Sequence, residues 1–525
     1  MNNQLARNVI QQALDVGVRE FCVCPGKRNA TLVYALANAL GLRVYYWPEE
    51  RSAAFFALGR IRATERPVAV VTTSGTALGN LLPAAMEAHY THLPLLLMTA
   101  DRPRRLRGTG APQCAEQPGI FSYYVQFTQD IALEEKCYLD KWSLQGPAHL
   151  NICFEEPEEE ECQKICHDAF KIDQPFIPKK APDYPGLSEF EEFLRAVHFP
   201  VVVIGSLNPT EREGVVQFLL GLKAPIYAEG TSGLREEPRL AHWHVSIDQI
   251  WKNSAEADYH IDGVLRIGSI PTCRIWRDLE EKQGILKVCS ISDLPFSGLS
   301  WVDLIFAPLK EFFEKAQTIR VDRHYPCENW LKKEKILERN LIEIYLEEPT
   351  AEAGLIHQLS KLIPSQSLVY LGNSLPVREW DLAATRAPKY FNVTASRGLC
   401  GIDGQISTFL GLSTKQHENW AIIGDLTALY DLVAPWIFEQ LTGLNANLVI
   451  INNRGGQIFS RMFSSPAFLN RHDLQFGSLA DFWKWHYEKW EIVPNHLRQV
   501  SGARLIEIIP DPEATKRVCQ KIKKL

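Results

Sequence analysis

The chain has 525 residues, of which 46 % are hydrophobic and 22 % charged, and a formal net charge of −6 at pH 7. That length suggests three or four domains and a core large enough to need no covalent staples. The acidic balance argues against nucleic acid as a partner, and no run reaches the roughly 18 apolar residues of a membrane span.

The opening stretch MNNQLARNVIQQALDVGV sets Leu5, Val9, Ile10, Ala13 and Leu14 at helical spacing among amides and charges. This predicts an amphipathic helix rather than a signal peptide, and with it a cytoplasmic protein. The 12 cysteines are scattered. Their closest pairs, Cys22/Cys24 and Cys162/Cys166, lack the spacing of a zinc site, so reduced, mostly buried thiols are expected.

Apolar runs then alternate with helical patterns. Strands are expected at Phe21–Cys24, Val68–Thr73 and Leu93–Thr99, with another around Val44-Tyr45-Tyr46-Trp47. A charged stretch over 155–185, containing EEPEEEEC and IPKKAPDYPG, reads as a linker. A second segment offers strands at Val201–Gly205, Ala224–Ala228, Gly263–Gly268, Leu286–Ile291 and Val302–Ala307. A helical stretch, Trp330–Tyr345, leads to a third with strands at Ser367–Gly372, Trp420–Gly424, Asn447–Asn452 and Arg504–Ile509. Continuous apolar strands separated by helices predict an α/β protein with three doubly wound parallel-sheet domains, over 1–165, 186–330 and 346–525. Ligands of such sheets bind beyond the carboxyl ends of the strands.

Two of those ends carry chemistry. Ala421-Ile-Ile-Gly424-Asp425 and Leu448-Val-Ile-Ile-Asn-Asn453-Arg-Gly455-Gly456 place Asp425 and Asn453 28 residues apart, the length of one strand–helix–strand crossover. A carboxylate and an amide oxygen are hard donors suited to Mg²⁺. A helix starting near Leu426-Thr427 would aim its N–H groups at phosphate. Taken singly, each motif reads as a turn. In the first segment, Glu49-Glu50-Arg51-Ser52-Ala-Ala-Phe-Phe-Ala-Leu-Gly59 follows a strand, and by itself reads as a helix start with favourable acids.

Together the Gly-Asp and Asn-Asn motifs resemble the thiamine-diphosphate signature, although Leu426 stands where that signature commonly has Gly. The resemblance extends over nearly the whole chain. It runs through Pro25-Gly-Lys-Arg-Asn29, Thr73-Ser-Gly-Thr76-Ala77, Thr99-Ala-Asp-Arg102-Pro103, Ser232-Gly-Leu-Arg235, Val264-Leu-Arg-Ile-Gly268, Gly372-Asn-Ser374-Leu-Pro-Val-Arg378, Ala395-Ser-Arg397-Gly, Gly401-Ile402-Asp-Gly404 and Gly455-Gly-Gln-Ile458-Phe459-Ser460. These motifs resemble the 2-succinyl-5-enolpyruvyl-6-hydroxy-3-cyclohexene-1-carboxylate (SEPHCHC) synthase family, within the thiamine-diphosphate-dependent decarboxylases and carboligases.

The resemblance implies thiamine diphosphate and Mg²⁺ as cofactors, with Mn²⁺ as a substitute. It implies decarboxylation of 2-oxoglutarate and addition of the succinyl carbanion to isochorismate, in menaquinone (vitamin K2) biosynthesis. It gives Asp425, Asn453 and the Gly455 carbonyl as metal ligands and Glu50 as the activating carboxylate. Thr76, Gly424, Leu426, Thr427, Ile402 and Ile458 are implied as further cofactor contacts. Ser374, Arg378 and Arg397 are implied for 2-oxoglutarate, and Arg28, Arg102, Gln113 and Arg274 for isochorismate, with Phe459 and Met462 as pocket walls. The arginines suit two dicarboxylate substrates, since a guanidinium binds carboxylates bidentately and stays charged. The active site is implied to lie between subunits of a homodimer or homotetramer.

Three departures from the family pattern fall on the isochorismate side: Lys27 for Ser, Pro112 before Gln113, and Ile275 after Arg274 in place of a basic pair. Other readings are a related ligase with a different acceptor, or a catalytically silent homologue. A nucleotide-binding oxidoreductase is weaker, because no strand is followed by GxGxxG.

Overall fold

Parallel strands in three sheets form the framework of the computed structural model, which describes residues 2–37, 39–164, 170–172, 186–247, 250–319, 324–460, 462–463 and 465–525. The first sheet contains β1 (Glu20–Val23), β2 (Arg43–Tyr46), β3 (Val68–Thr72), β4 (Leu95–Asp101), β5 (Phe127–Ile131) and β6 (Ala148–Cys153). The second contains β7 (Pro200–Ile204), β8 (Ile226–Ala228), β9 (Gly263–Ile267), β10 (Lys287–Ser292) and β11 (Leu304–Phe306). The third contains β12 (Leu368–Leu371), β13 (Asn392–Thr394), β14 (Asn419–Gly424), β15 (Ala446–Ile451), β16 (His486–Trp490) and β17 (Ala503–Ile508).

The central strands are buried along their whole length, as β3, β4, β7, β9 and β15 show. Val, Ile and Leu on both faces are what a sheet covered by helices on two sides requires. The opening helix, Asn2–Asp15, buries Leu5, Val9, Ile10, Ala13 and Leu14 as expected. Of the expected linker, residues 165–169 and 173–185 lie outside the described residues. Among those described, no helix is long and apolar enough to cross a membrane.

The first sheet has the order β2-β1-β3-β4-β6-β5 and the third the equivalent order β13-β12-β14-β15-β17-β16. The chain therefore reverses direction across the sheet between β1 and β3, and again between β12 and β14. Such switch points open a crevice at the strand ends. The loops after β12 and β14 carry Ser374 and Asp425, and those after β1 and β3 carry Arg28 and Thr76.

The first and third domains share one hydrophobic core, whereas the central domain has its own. The shared core is crossed by the helices Glu50–Thr64 and Gln405–Leu412, which meet at glycines. A Cβ at Gly59 would lie 2.2 Å from the Thr408 carbonyl oxygen, and one at Gly411 would lie 2.2 Å from that of Phe56. Only glycine allows this approach.

Candidate active site

The parallel register pairs Gly424 with Ile451, so the residues that follow β14 and β15 leave the sheet side by side. Asp425 opens the helix Asp425–Tyr430. After β15 the chain turns through Arg454 (φ +63°) and Gly455 (φ +125°). A Cβ at Gly455 would stand 2.2 Å from the Leu469 carbonyl oxygen, so the turn requires glycine. It delivers the Gly455 N–H to Oδ2 of Asp425 at 2.9 Å, while the Leu426 N–H reaches Oδ1 at 2.6 Å.

Asp425 is buried, and desolvation raises its carboxyl above the ordinary carboxylate value. Its nearest side-chain neighbour of basic type is His472, with Nε2 3.3 Å from Oδ2. Nδ1 of His472 accepts the Leu474 N–H at 3.2 Å, while its Nε2 is buried beside the carboxylate without a hydrogen-bond partner among the described residues. No Lys or Arg among the described residues pairs with Asp425. Asn453 donates from its amide to Oε2 of Glu352 at 3.1 Å, which leaves its oxygen as the atom to offer. A buried carboxylate with no Lys or Arg partner among the described residues, an amide oxygen and a backbone carbonyl make a hard-oxygen set, which fits Mg²⁺.

These groups border a cavity of about 340 Å³. Ser374, Arg378, Arg397, Ile402, Gly424, Leu426, Thr427, Ile458 and Phe459 line it too, together with Glu352, Cys400 and Gln457. Arg378 donates to the Ser374 carbonyl at 2.5 Å and Arg397 to Oδ1 of Asn373 at 2.6 Å. Neither guanidinium forms an ion pair with a carboxylate among the described residues, and Nε of Arg397 is buried without a hydrogen-bond partner. Two cations held by neutral groups beside a cavity are suited to an incoming carboxylate.

The other expected residues lie elsewhere in the chain. Glu50 begins the helix Glu50–Thr64, where Glu49 is the cap, accepting the N–H groups of Arg51 and Ser52 at 3.0 and 2.8 Å. Glu50 itself accepts from Nδ2 of Asn80 at 3.3 Å. Thr76 and Gln113 are exposed neighbours: a Cβ on Gly75 would stand 3.3 Å from Cα of Gln113. Arg28 is buried, donating to the Phe154 carbonyl at 3.2 Å and pairing with Glu156 at 2.6 Å, and Lys27 pairs with the same Glu156 at 2.5 Å. The Arg102 backbone N–H donates to Asp101, and its side-chain Nε is buried without a partner. Arg274, on the central domain, is exposed and pairs with Asp278 at 3.4 Å. It borders a second cavity, which Arg378 also lines. Met462 is 59 % exposed and outside the Asp425 cavity. Thus the Asp425 cavity gathers the metal, diphosphate and donor-substrate candidates, and none of the first-domain candidates is among the described residues that line it.

Asp101, Asp130 and Cys153 also cluster. Arg107 bridges both carboxylates there, at 2.9 and 2.6 Å, and Arg104 adds a further bond to Asp130. Burial pushes Asp130 up, but its bonds to Arg107, Asn151 and Arg104 hold its carboxyl well below the usual range. Guanidiniums already occupy the positions a cation would take.

Residues 4–120 match the thiamine pyrophosphate enzyme family of N-terminal TPP binding domains. The crystal structure of benzoylformate decarboxylase from Polynucleobacter necessarius shares the fold, with a TM-score of 0.71 over 96 % of this chain and 98 % of that one at 15 % identity. Fold, site and family match define a thiamine-pyrophosphate-dependent enzyme. The SEPHCHC synthase of Bdellovibrio bacteriovorus is 42 % identical over 98 % of this chain and 97 % of its own length. That of Akkermansia muciniphila is 35 % identical over 98 % and 97 %. The chain belongs to the SEPHCHC synthase family.

Proposed function

We propose that the protein decarboxylates 2-oxoglutarate and joins the resulting succinyl unit to isochorismate, as the SEPHCHC synthase step of menaquinone biosynthesis. One observation carries this reading beyond the family name. Arg378 and Arg397, with no carboxylate partner among the described residues, share a cavity with the hard-oxygen set of Asp425, Asn453 and Gly455. A dicarboxylate can thus be held by its far carboxylate beside a metal-bound diphosphate.

In this reading Asp425, the Asn453 oxygen and the Gly455 carbonyl hold Mg²⁺, and the start of the helix Asp425–Tyr430 faces the diphosphate through Leu426 and Thr427. Bound thiamine diphosphate supplies the electron sink for loss of CO₂. Ile402 and Ile458 pack on the cofactor and keep water out. Ser374, Arg378 and Arg397 orient 2-oxoglutarate, and Phe459 walls the pocket. Glu50 and Thr76 serve the aminopyrimidine end, and Arg28, Arg102, Gln113 and Arg274 serve isochorismate. Because the described residues lining the Asp425 cavity all belong to the third domain, the reading includes a dimer in which the first domain of one subunit faces the third domain of the other.

Mass analysis of products from 2-oxoglutarate plus isochorismate, with and without thiamine diphosphate and Mg²⁺, tests the reading. The expected product is the adduct, formed only with both cofactors. Release of CO₂ without any isochorismate adduct would assign the chain a different acceptor.

A further inference from the structure

The described residues lining the Asp425 cavity all fall between Glu352 and Phe459, so no described residue of the central domain walls it. That domain nevertheless holds one end of the helix that carries Ser374 and Arg378. Ser374 caps the helix Leu375–Ala383 and Arg378 lies in its first turns. At the other end stands Arg235 of the central domain, only 3 % exposed. It donates to the carbonyls of Thr385 at 3.0 Å, Ala384 at 2.8 Å and Asp381 at 3.2 Å. Carbonyls at a helix C-terminus lack intrahelical donors, and a cation there meets the negative end of the helix dipole.

The helix reaches back in turn. Oδ1 of Asp381 accepts the Gly230 N–H at 2.5 Å, and Oδ2 accepts the Tyr227 hydroxyl at 3.2 Å. Gly230 comes so near that a Cβ would lie 2.7 Å from Cδ1 of Trp380. Charged and polar bonds thus cross the junction in both directions. Apolar packing would hold two domains together as well; directional polar bonds across the junction also fix a single geometry.

The front of the helix is fixed by Asn373, whose amide donates to the carbonyls of Ser396 at 2.8 Å and Gly401 at 2.7 Å. Ser374 follows with φ at +73°, a costly conformation for a residue with a side chain. A helix of nine residues pinned at both ends cannot turn about its axis, and that turn would swing Arg378 away from the cavity.

We propose that Arg235 and Asp381 are positioning residues for the donor substrate: by fixing the C-terminal end of the helix Leu375–Ala383 to the central domain, they aim Ser374 and Arg378 into the cavity. The proposal rests on the assignment of 2-oxoglutarate to that cavity. The test uses the full-length enzyme loaded with thiamine diphosphate and Mg²⁺. Arg235→Gln is expected to raise the KM for 2-oxoglutarate by about tenfold, the scale of one weakened charge-assisted contact. The KM for isochorismate and the calorimetric affinity for thiamine diphosphate are expected to hold within about twofold. Arg235→Lys is expected to recover part of the loss. Combining Arg235→Gln with Arg378→Ala is expected to be no worse for the 2-oxoglutarate KM than Arg378→Ala alone, because the effect passes through Arg378. If Arg235→Gln melts too low to assay, Asp381→Asn, which keeps the side-chain shape, carries the same expectation. An unchanged 2-oxoglutarate KM in these variants, or full additivity with Arg378→Ala, overturns the positioning role. A wild-type enzyme that does not consume 2-oxoglutarate overturns the substrate assignment instead.

Discussion

Nε2 of His472 stands 3.3 Å from Oδ2 of Asp425, across a turn that also brings the Gly455 N–H to the same oxygen at 2.9 Å. The imidazole comes from a loop well past the Asn-Asn motif, so the carboxylate is flanked by residues from both sides of the turn. Asp425→Ala is expected to abolish Mg²⁺-dependent cofactor binding, measured by calorimetric titration with thiamine diphosphate. His472→Ala is expected to weaken that binding by about tenfold, the usual scale for a group that orients a metal ligand. Wild-type affinity in Asp425→Ala would show that the metal sits elsewhere.

Glu50→Gln is expected to keep cofactor affinity while losing the capacity to activate the cofactor, because an amide cannot play the part of a carboxylate at the aminopyrimidine. The measurement is hydrogen–deuterium exchange at the thiazolium C2 position, followed by NMR. Glu49 already caps the helix through the Arg51 and Ser52 N–H groups. If exchange in the Glu50 variant ran at the wild-type rate, the activating role would pass to another acid.

On the proposed assignment, the arginines divide between the two substrates. Arg397→Ala is expected to slow CO₂ release from 2-oxoglutarate alone, by roughly 10- to 100-fold at subsaturating substrate for one lost charge-assisted contact. Arg28→Ala is expected to leave that single-turnover release intact and to weaken capture by isochorismate. Because Lys27 shares Glu156 with Arg28, the adjacent cation softens the loss. Equal damage to donor turnover in both variants would refute this division.

Asp431 gives a pH signature. It is buried between the first and third domains, accepting from Ser52 Oγ at 3.0 Å and from the Ser407 N–H at 2.8 Å. Desolvation pushes its carboxyl up from 3.8 to about 6, against the pull of the Ser407 and Ser52 bonds. Between those values the folded chain binds the proton more tightly than the unfolded one, so this group's contribution to stability falls as pH rises through the window. Asp431→Asn removes the titration. Denaturant unfolding is expected to show the variant gaining on the wild type from about pH 4 to pH 6, by on the order of 3 kcal/mol. A stability difference that stays flat across that range would contradict the assignment.

Most strands were legible because parallel sheets buried on both faces write themselves as apolar runs. The misses have physical reasons. β6 is central, yet His149 and Asn151 interrupt its run; they are tolerated because Thr99 Oγ1 lies 2.8 Å from Nε2 of His149 and donates to Oδ1 of Asn151 at 3.1 Å. β5 and β16 are edge strands, and the polar residues in Thr128-Gln129-Asp130 and Glu488-Lys489 hide them from an apolar search. In the site, Asp425 and Asn453 were readable from spacing because one crossover fixes their relation. His472 and Glu352 were not, since each arrives from a separate loop or helix and carries no motif. Asn373 lies inside the quoted Gly372-Asn-Ser374 motif, but its part in seating Arg397 is visible only once the chain has folded.

The glycine crossing of the helices Glu50–Thr64 and Gln405–Leu412 has a mechanical meaning. With each absent Cβ only 2.2 Å from the opposing backbone, the joint has no slack: sliding by a turn would drive side chains into main chain on both sides. The first and third domains of one chain must therefore travel as a single block. If two copies meet to complete a site, what adjusts between them is the placing of one rigid block against another, and traffic of substrate and product is left to the loops above the sheet edges.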